Sequence, residues 1–330
     1  ALTVYAAIRG GAIRREFLAG PALGVIAATG LLVSVVGIAQ RASGGPAVST
    51  EGNTNYAGGL AAVLLPATLG IALLRGPWRI PGAVAAASLA ILLLLTGSRG
   101  GLAGAAAGLL LFVGALAVRG ARREAFVAAA ALVLLGGLAF ALQGKRLATP
   151  EGLESGAVRV EIWKGALRMA AARPVFGWGA GSFQAEYPRF RSEAEFRLSH
   201  KYGAEGFKEV EDAHSIWVSA AAETGVAGFL AFLLVVYVAA RLWRYAVAKA
   251  PDAESAALLA GLGGGAAAYL VAGLFNTLTM HASHTLLFWA FLGMIERLGI
   301  ESRQRSGRAE AASAFMGAVA VAFGFGAIWT

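Results

Sequence analysis

Cysteine is absent from the 330-residue chain, which excludes disulfides and thiolate metal sites and leaves no trace of a redox compartment. Aspartate is almost as scarce, with Asp212 and Asp252 the only two. That excludes a DxD metal-nucleotide site, an aspartyl dyad and an EF-hand loop. A soluble-protein composition is lacking as well. The AVILMFWYC set makes up 58% of the residues, and 45 glycines take the apolar-plus-glycine share to about 70%, against roughly 45–50% in soluble proteins. What is present is a series of apolar runs of about 17–25 residues, the length that crosses a bilayer core of about 30 Å.

Nine such segments are expected to span, at 18–40, 56–74, 81–97, 101–118, 125–143, 215–240, 256–275, 283–298 and 311–329. The opening ALTVYAAI reads as the tail of a further span, so the chain is expected to be truncated at its N-terminus. The fold class that follows is all-α, a polytopic transmembrane helical bundle with one large, partly helical outer loop. It divides into N-terminal spans (1–143), the loop (144–213) and C-terminal spans (214–330). The formal charge of +9 would suit a nucleic-acid partner, but the basic residues gather at span ends. Fifteen of them, from Arg9, Arg14 and Arg15 through Arg75, Arg79, Arg119 and Arg241 to Arg308, fall in alternate connections. By the positive-inside rule these mark the cytoplasmic side. The loop, on the other side, sets eleven basic residues against ten acidic ones, so the basicity is a topology signal and no nucleic-acid partner is expected.

A loop of 70 residues is too long for a connector. Residues 157–172 read as an amphipathic helix with Val158, Ile162, Ala166 and Met169 on one stripe, stopped by Pro174. Gly177-Trp178-Gly179-Ala180-Gly181 has neither a preceding strand nor a following Lys-Ser/Thr, so it reads as tight turns leading to a helix capped by Ser182. Arg99, in TGSRGG on the outer side, could snorkel. Yet Gly100 and Gly101 open the next span beside it, and free backbone N–H groups next to a guanidinium favour phosphate. Arg159 lies four residues before Trp163 on the loop helix, where an ion pair with Glu161 or Glu154 is the simple alternative. His214 closes the loop in EDAHS beside Asp212. Glu223, an intramembrane acid and so a functional candidate, stands nine helical steps further on and therefore faces the other way. Asn53 and Asn55 in GNTN suit N-cap and turn roles. His281 and His284 in MHASH have no acid nearby in sequence, so a metal site is not expected there. Gly101, Gly104 and Gly108, with Gly261, Gly263, Gly264, Gly265 and Gly273, suit close helix packing.

The order of these features resembles the bacterial O-antigen ligase and polymerase superfamily of membrane glycosyltransferases. The stretches that carry the resemblance are GNTNYAGGL, LLTGSRGG, RVEIWKGALRMAAARPVFGWGAGSFQAEYPRF, AHSIWVSAAAETGVAGFLAFL and FNTLTMHASHTLLFWAFLGMIERL, within about 52–298. Ser215 follows the His where the family often has Asn, and Thr54 stands where Pro is common. The resemblance implies an undecaprenyl-diphosphate-linked glycan donor, a glycan or lipid acceptor such as lipid A core, and transfer at the periplasmic face of the bacterial inner membrane. It maps the functional residues onto Arg99, Arg159 and His214. Two Arg could hold the diphosphate with Gly100 and Gly101, without metal or cofactor, and His214 could take the acceptor proton. Asp212, Glu223, Trp163, Asn53 and Asn55 would be supporting groups. The ligase reading is preferred, with an O-antigen or exopolysaccharide polymerase as the alternative. A protein O-oligosaccharyltransferase, a transporter and an intramembrane serine protease using Ser98 stand behind these.

Overall fold

A computed structural model of the chain describes residues 1–120, 150–200 and 210–299, with positions 129, 136 and 137 between them. The expected spans at 125–143 and 311–329 lie outside the described residues, but for those three positions. The longer helices are α1 (Leu2–Arg9), α2 (Pro21–Ala42), α3 (Thr54–Ala72), α4 (Arg79–Thr96), α5 (Arg99–Val118), α6 (Pro150–Ala172), α7 (Glu193–His200), α8 (Ile216–Ala248), α9 (Ala253–Ala272) and α10 (Ala282–Gly299). Among the described residues there is no strand. Six helices are long and apolar enough to cross a membrane: α2 with the turn before it, α3, α4, α5, α8 and α9. The protein is an all-α, multi-pass membrane bundle. Helix α10 forms where a span is expected but is not among the six, because Glu296 and Arg297 in its last turn and His284 in its first lower its apolarity. The opening segment forms α1, which packs on α10 through buried Tyr5 and Ile8.

Helices α3 and α9 form the centre of the bundle, the most deeply buried of the six. Lipid tails are as apolar as leucine, so helix association in a membrane rests on close van der Waals packing rather than on escape from water. The glycines supply that closeness. A Cβ added at Gly108 would lie 2.5 Å from the Gly264 carbonyl oxygen, and one at Gly261 would lie 2.5 Å from that of Pro66. Gly104, Gly265 and Gly101 meet Ala268, Val63 and Gly58 backbone as closely, so the expected packing role holds across α3, α5 and α9. Gly263 and Gly273 instead make room for the Trp243 and Ile216 side chains.

The two ends of the bundle differ in charge chemistry. At one end Arg119 donates to the carbonyls of Ala248 and Ala250, Arg75 pairs with Glu254 at 3.3 Å, and Arg9 pairs with Glu296 at 3.1 Å. Asp252 caps α9 there, accepting from the Ser255 N–H. At the other end Asn53, Ser98 and Ser215 cap α3, α5 and α8. The loop segment 150–200 meets the bundle against α8.

Candidate active site

Asp212 is the centre of the site. Its side chain is buried, and its Oδ1 accepts from the Thr277 hydroxyl at 2.6 Å and from the His214 backbone N–H at 2.5 Å. The same oxygen lies 3.2 Å from His214 Nδ1. Sequence proximity alone did not require that contact. A carboxylate only accepts, so it holds the proton on Nδ1 and leaves Nε2 with a lone pair. Burial acts to raise the Asp212 carboxyl, but the hydrogen bonds and charge of His214 and the Thr277 hydroxyl outweigh it and hold its pKa below the usual carboxylate value. His214 has φ 50°, in the left-handed region that side-chain-bearing residues rarely occupy.

The segment around His214 is anchored on every side. Trp163, on α6, donates its indole N–H to the Ala213 carbonyl at 2.9 Å. The Ile216 N–H donates to the Gly273 carbonyl at 2.8 Å, and the Trp217 indole to that of Leu270 at 3.0 Å. Ser215 accepts from the Val218 N–H and starts α8.

Arg159 projects from α6 into the same region. Its pKa is lowered, first by burial and then by the positive charge of Arg99, with Asp212 and the Tyr56 hydroxyl acting the other way. Two arginines sixty positions apart in sequence therefore feel each other's charge beside Asp212. The alternative partner of Arg159, Glu161, is instead engaged by Lys164 at 2.6 Å and by the Ser192 hydroxyl at 3.1 Å. Arg99 is exposed at the first turn of α5. The glycines beside it do not behave as expected. The Ser98 hydroxyl accepts the Gly101 N–H at 3.1 Å, so that N–H is not free for phosphate. A Cβ at Gly100 would lie 2.6 Å from Asn276 Nδ2, and one at Gly101 would lie 2.7 Å from Gly58 backbone. Both glycines are required by packing.

Glu223 also departs from its expected place. Helix α8 is broken at Gly225, where φ is 62° and ψ is −167°. Loop residues 174–183 fill the break: Val226 and Ala227 N–H groups donate to the carbonyls of Pro174 and Val175, and the Gly179 N–H donates to that of Glu223. The Glu223 carboxylate accepts from the N–H groups of Gly181 and Phe183. It thereby holds the loop against the break in α8. Gly177, Gly179 and Gly181 all have positive φ, as tight turns require. Ser182 donates its hydroxyl to the Gly179 carbonyl instead of capping, and the helix after it, Phe183–Glu186, has four residues. The loop stripe does form as expected, with Ile162, Ala166 and Met169 buried together against Phe183 and Tyr187, and Val158 beside them.

Asn53 and Asn55 take the roles their types suggest, the Asn53 side chain accepting from the Asn55 N–H at 2.7 Å. Glu51, in a helical turn at Ser49–Glu51, brings a carboxylate close to both His281 and His284, the acid that their own stretch of sequence lacks. Sequence reasoning also missed Thr277 and Tyr56. No local pattern marks either one, because each acquires its place from a helix distant in the chain.

An apolar cavity of about 230 Å³ lined by Leu111, Trp243, Leu270 and Phe288 lies apart from this site. Leu111 is twelve residues along α5 from Arg99, about 18 Å at 1.5 Å per residue. A comparison with curated proteins found no match. The family model described as O-antigen ligase matches residues 84–233, a stretch that takes in Arg99, Arg159 and His214 together, and it supports the superfamily that the motifs resemble.

Proposed function

We propose that the chain transfers a glycan from a polyprenyl-diphosphate carrier, undecaprenyl diphosphate in a bacterium, to a hydroxyl acceptor at the periplasmic surface of the inner membrane. The observation that carries this reading is the meeting of Arg99, Arg159 and the Asp212–His214 pair at one end of the bundle. In the reaction the acceptor oxygen attacks the anomeric carbon as the bond from that carbon to the diphosphate oxygen breaks. The electron pair leaves on the diphosphate, where the two guanidinium groups offset the growing charge, each charge-assisted contact contributing about 1.5–3 kcal/mol. The acceptor proton passes to His214 Nε2, and Asp212 steadies the resulting imidazolium. The carrier's prenyl chain stays in the bilayer beside the apolar helices. The periplasmic side follows from the positive-inside rule, since the end with Arg119, Arg241 and Arg244 is then cytoplasmic.

The test uses purified protein in liposomes with a panel of lipid-linked donors and hydroxyl acceptors. Transfer to lipid A core with release of the carrier diphosphate is expected, and it should fail in Arg99→Ala and His214→Ala. Elongation of the lipid-linked donor without a core acceptor would replace the ligase assignment by the polymerase one. Failure to consume any lipid-linked donor would overturn the reading.

A further inference from the structure

Glu51, His281 and His284 come from two segments more than two hundred residues apart, yet one carboxylate oxygen faces both imidazoles. Glu51 Oε2 lies 3.4 Å from His281 Nδ1 and 3.7 Å from His284 Nδ1. The Glu51 and His284 side chains are 8% and 0% exposed, while His281 is 26% exposed and gives the cluster an entry. The proton positions are constrained. His284 Nε2 lies 2.9 Å from the Tyr56 carbonyl oxygen, which only accepts, so Nε2 carries the proton and Nδ1 presents a lone pair. That lone pair faces the Glu51 carboxylate, another pure acceptor. The Ser283 hydroxyl sits 3.1 Å from each of them, and its single proton can serve only one. The other acceptor must then be met either by a proton on His281 Nδ1 or by a bound cation.

We propose that Glu51, His281 and His284 bind one divalent transition-metal ion of the zinc class. With ligand bonds of about 2.0–2.2 Å, a tetrahedral site separates its ligand atoms by about 3.3–3.6 Å. The two separations from Glu51 Oε2 fit that frame with little movement. Two imidazoles and one carboxylate suit zinc-class ions, whereas calcium and magnesium take oxygen ligands. The Ser283 hydroxyl or a water completes the fourth position. The Tyr56 carbonyl fixes the His284 ring with Nδ1 inward, the kind of outer partner that metal-bound histidines carry. The ion ties the Ser49–Glu51 turn to the start of α10. It also braces Tyr56, whose ring lies against that of His281 with centroids 3.6 Å apart and planes tilted by 40°, and whose hydroxyl acts electrostatically on Arg159. The inference stands apart from the transfer reaction, because it holds whether or not the chain moves a glycan.

The test takes the full chain, purified in detergent with an affinity tag that contains no histidine, stripped by chelator and then titrated with Zn²⁺ or Co²⁺. One equivalent bound, a visible tetrahedral Co²⁺ spectrum and a Zn²⁺-dependent rise in melting temperature are expected. Glu51→Gln and His281→Ala should each weaken binding by more than about 100-fold, beyond the 10–100-fold typical of losing an outer partner. His214→Ala should keep the full equivalent. His284 is completely buried, so its removal risks the fold and the partly exposed His281 serves instead. A wild-type protein that binds no stoichiometric metal, its cluster held by a protonated His281 paired with Glu51, would overturn the proposal. So would binding that is unchanged in both variants.

Discussion

Replacing Asp212 by asparagine preserves the shape of the site's centre and removes its charge. The oxygen that accepts from Thr277 and the His214 N–H can remain, so the fold around it should survive. What is lost is the carboxylate against His214 Nδ1 at 3.2 Å. Stabilisation of the imidazolium by one charge-assisted contact is about 1.5–3 kcal/mol, or one to two decades of rate at about 1.36 kcal/mol per decade. That loss should lower the single-turnover rate by about 10–10² at saturating donor, with donor affinity nearly unchanged. Asp212→Ala should be worse for stability, since it orphans a buried hydroxyl and a backbone N–H at about 1–3 kcal/mol each. The pH behaviour separates charge from shape. The Asp212 carboxyl has a depressed pKa in the fold, so its contribution to stability is complete above the unfolded value of about 3.9. It is lost only as pH falls through the lower folded value. The stability advantage of wild type over Asp212→Asn should thus shrink as pH falls below about 4. Rapid-quench transfer with a donor-binding assay measures the rate effect. An Asp212→Asn protein that turns over at the wild-type rate would refute the assignment of Asp212 as the group that orients His214.

Arg99→Ala and Arg159→Ala should each reduce turnover by about 10²–10³, and lysine should rescue poorly because a point charge cannot make the two-pronged contact. Steady-state transfer by the four variants checks this, and full rescue by lysine would reduce the arginines to bulk charge. Gly225→Ala forces a Cβ to 2.6 Å from the Gly177 N atom at a φ of 62°, in a region only glycine occupies at ease. A strain of about 1–3 kcal/mol or more should loosen loop 174–183 from α8, seen as faster limited proteolysis there together with lost transfer. Single cysteines placed near Arg189 in this cysteine-free chain should react with an impermeant reagent from outside the cytoplasm, and those near Arg122 should not. The reverse pattern would invert the topology and remove a periplasmic active site.

The bundle was legible in the sequence because a bilayer imposes a length and a hydropathy that local runs reveal, and because small residues in spaced rows have few other uses. The stripe Ile162, Ala166, Met169 was legible for the same reason, since helical periodicity is local. Gly225 was not. A single glycine inside an apolar run is tolerated in helices, and nothing near it announces that Pro174 and Val175 arrive from fifty positions upstream to accept its neighbours' N–H groups. The partners of Glu223 in the loop, the Gly181 and Phe183 N–H groups, were hidden for the same reason. Glu51 was hidden by distance, 232 positions from the serine whose hydroxyl it accepts. Arg99, Arg159 and His214 were singled out by motif order, whereas what brings them near one another, α5, α6 and the start of α8 at one end of the bundle, is not local in sequence.

That convergence has a mechanical basis in the short segment 212–217. Thr277 and Gly273 hold it from the chain beyond α9, Trp163 holds it from α6, and its own Ser215 cap starts α8. A side-chain-bearing residue at φ 50° persists only where its surroundings overdetermine it, and here the Asp212 carboxylate takes both the backbone N–H and the ring N–H of that residue. Loop docking supplies the other half. The break at Gly225 receives the loop eleven residues beyond His214, so α6, which carries Arg159 and Trp163, is tied both to the segment that starts α8 and to the break within it. A diphosphate clamp and a base separated by one flexible loop would find productive geometry only rarely, and reaction rates fall steeply with misplacement of about 1 Å. Two points of attachment between α6 and α8 leave that loop helix little freedom to rotate. On the roles proposed for them, Arg159 would then be held in register with His214 before any substrate arrives.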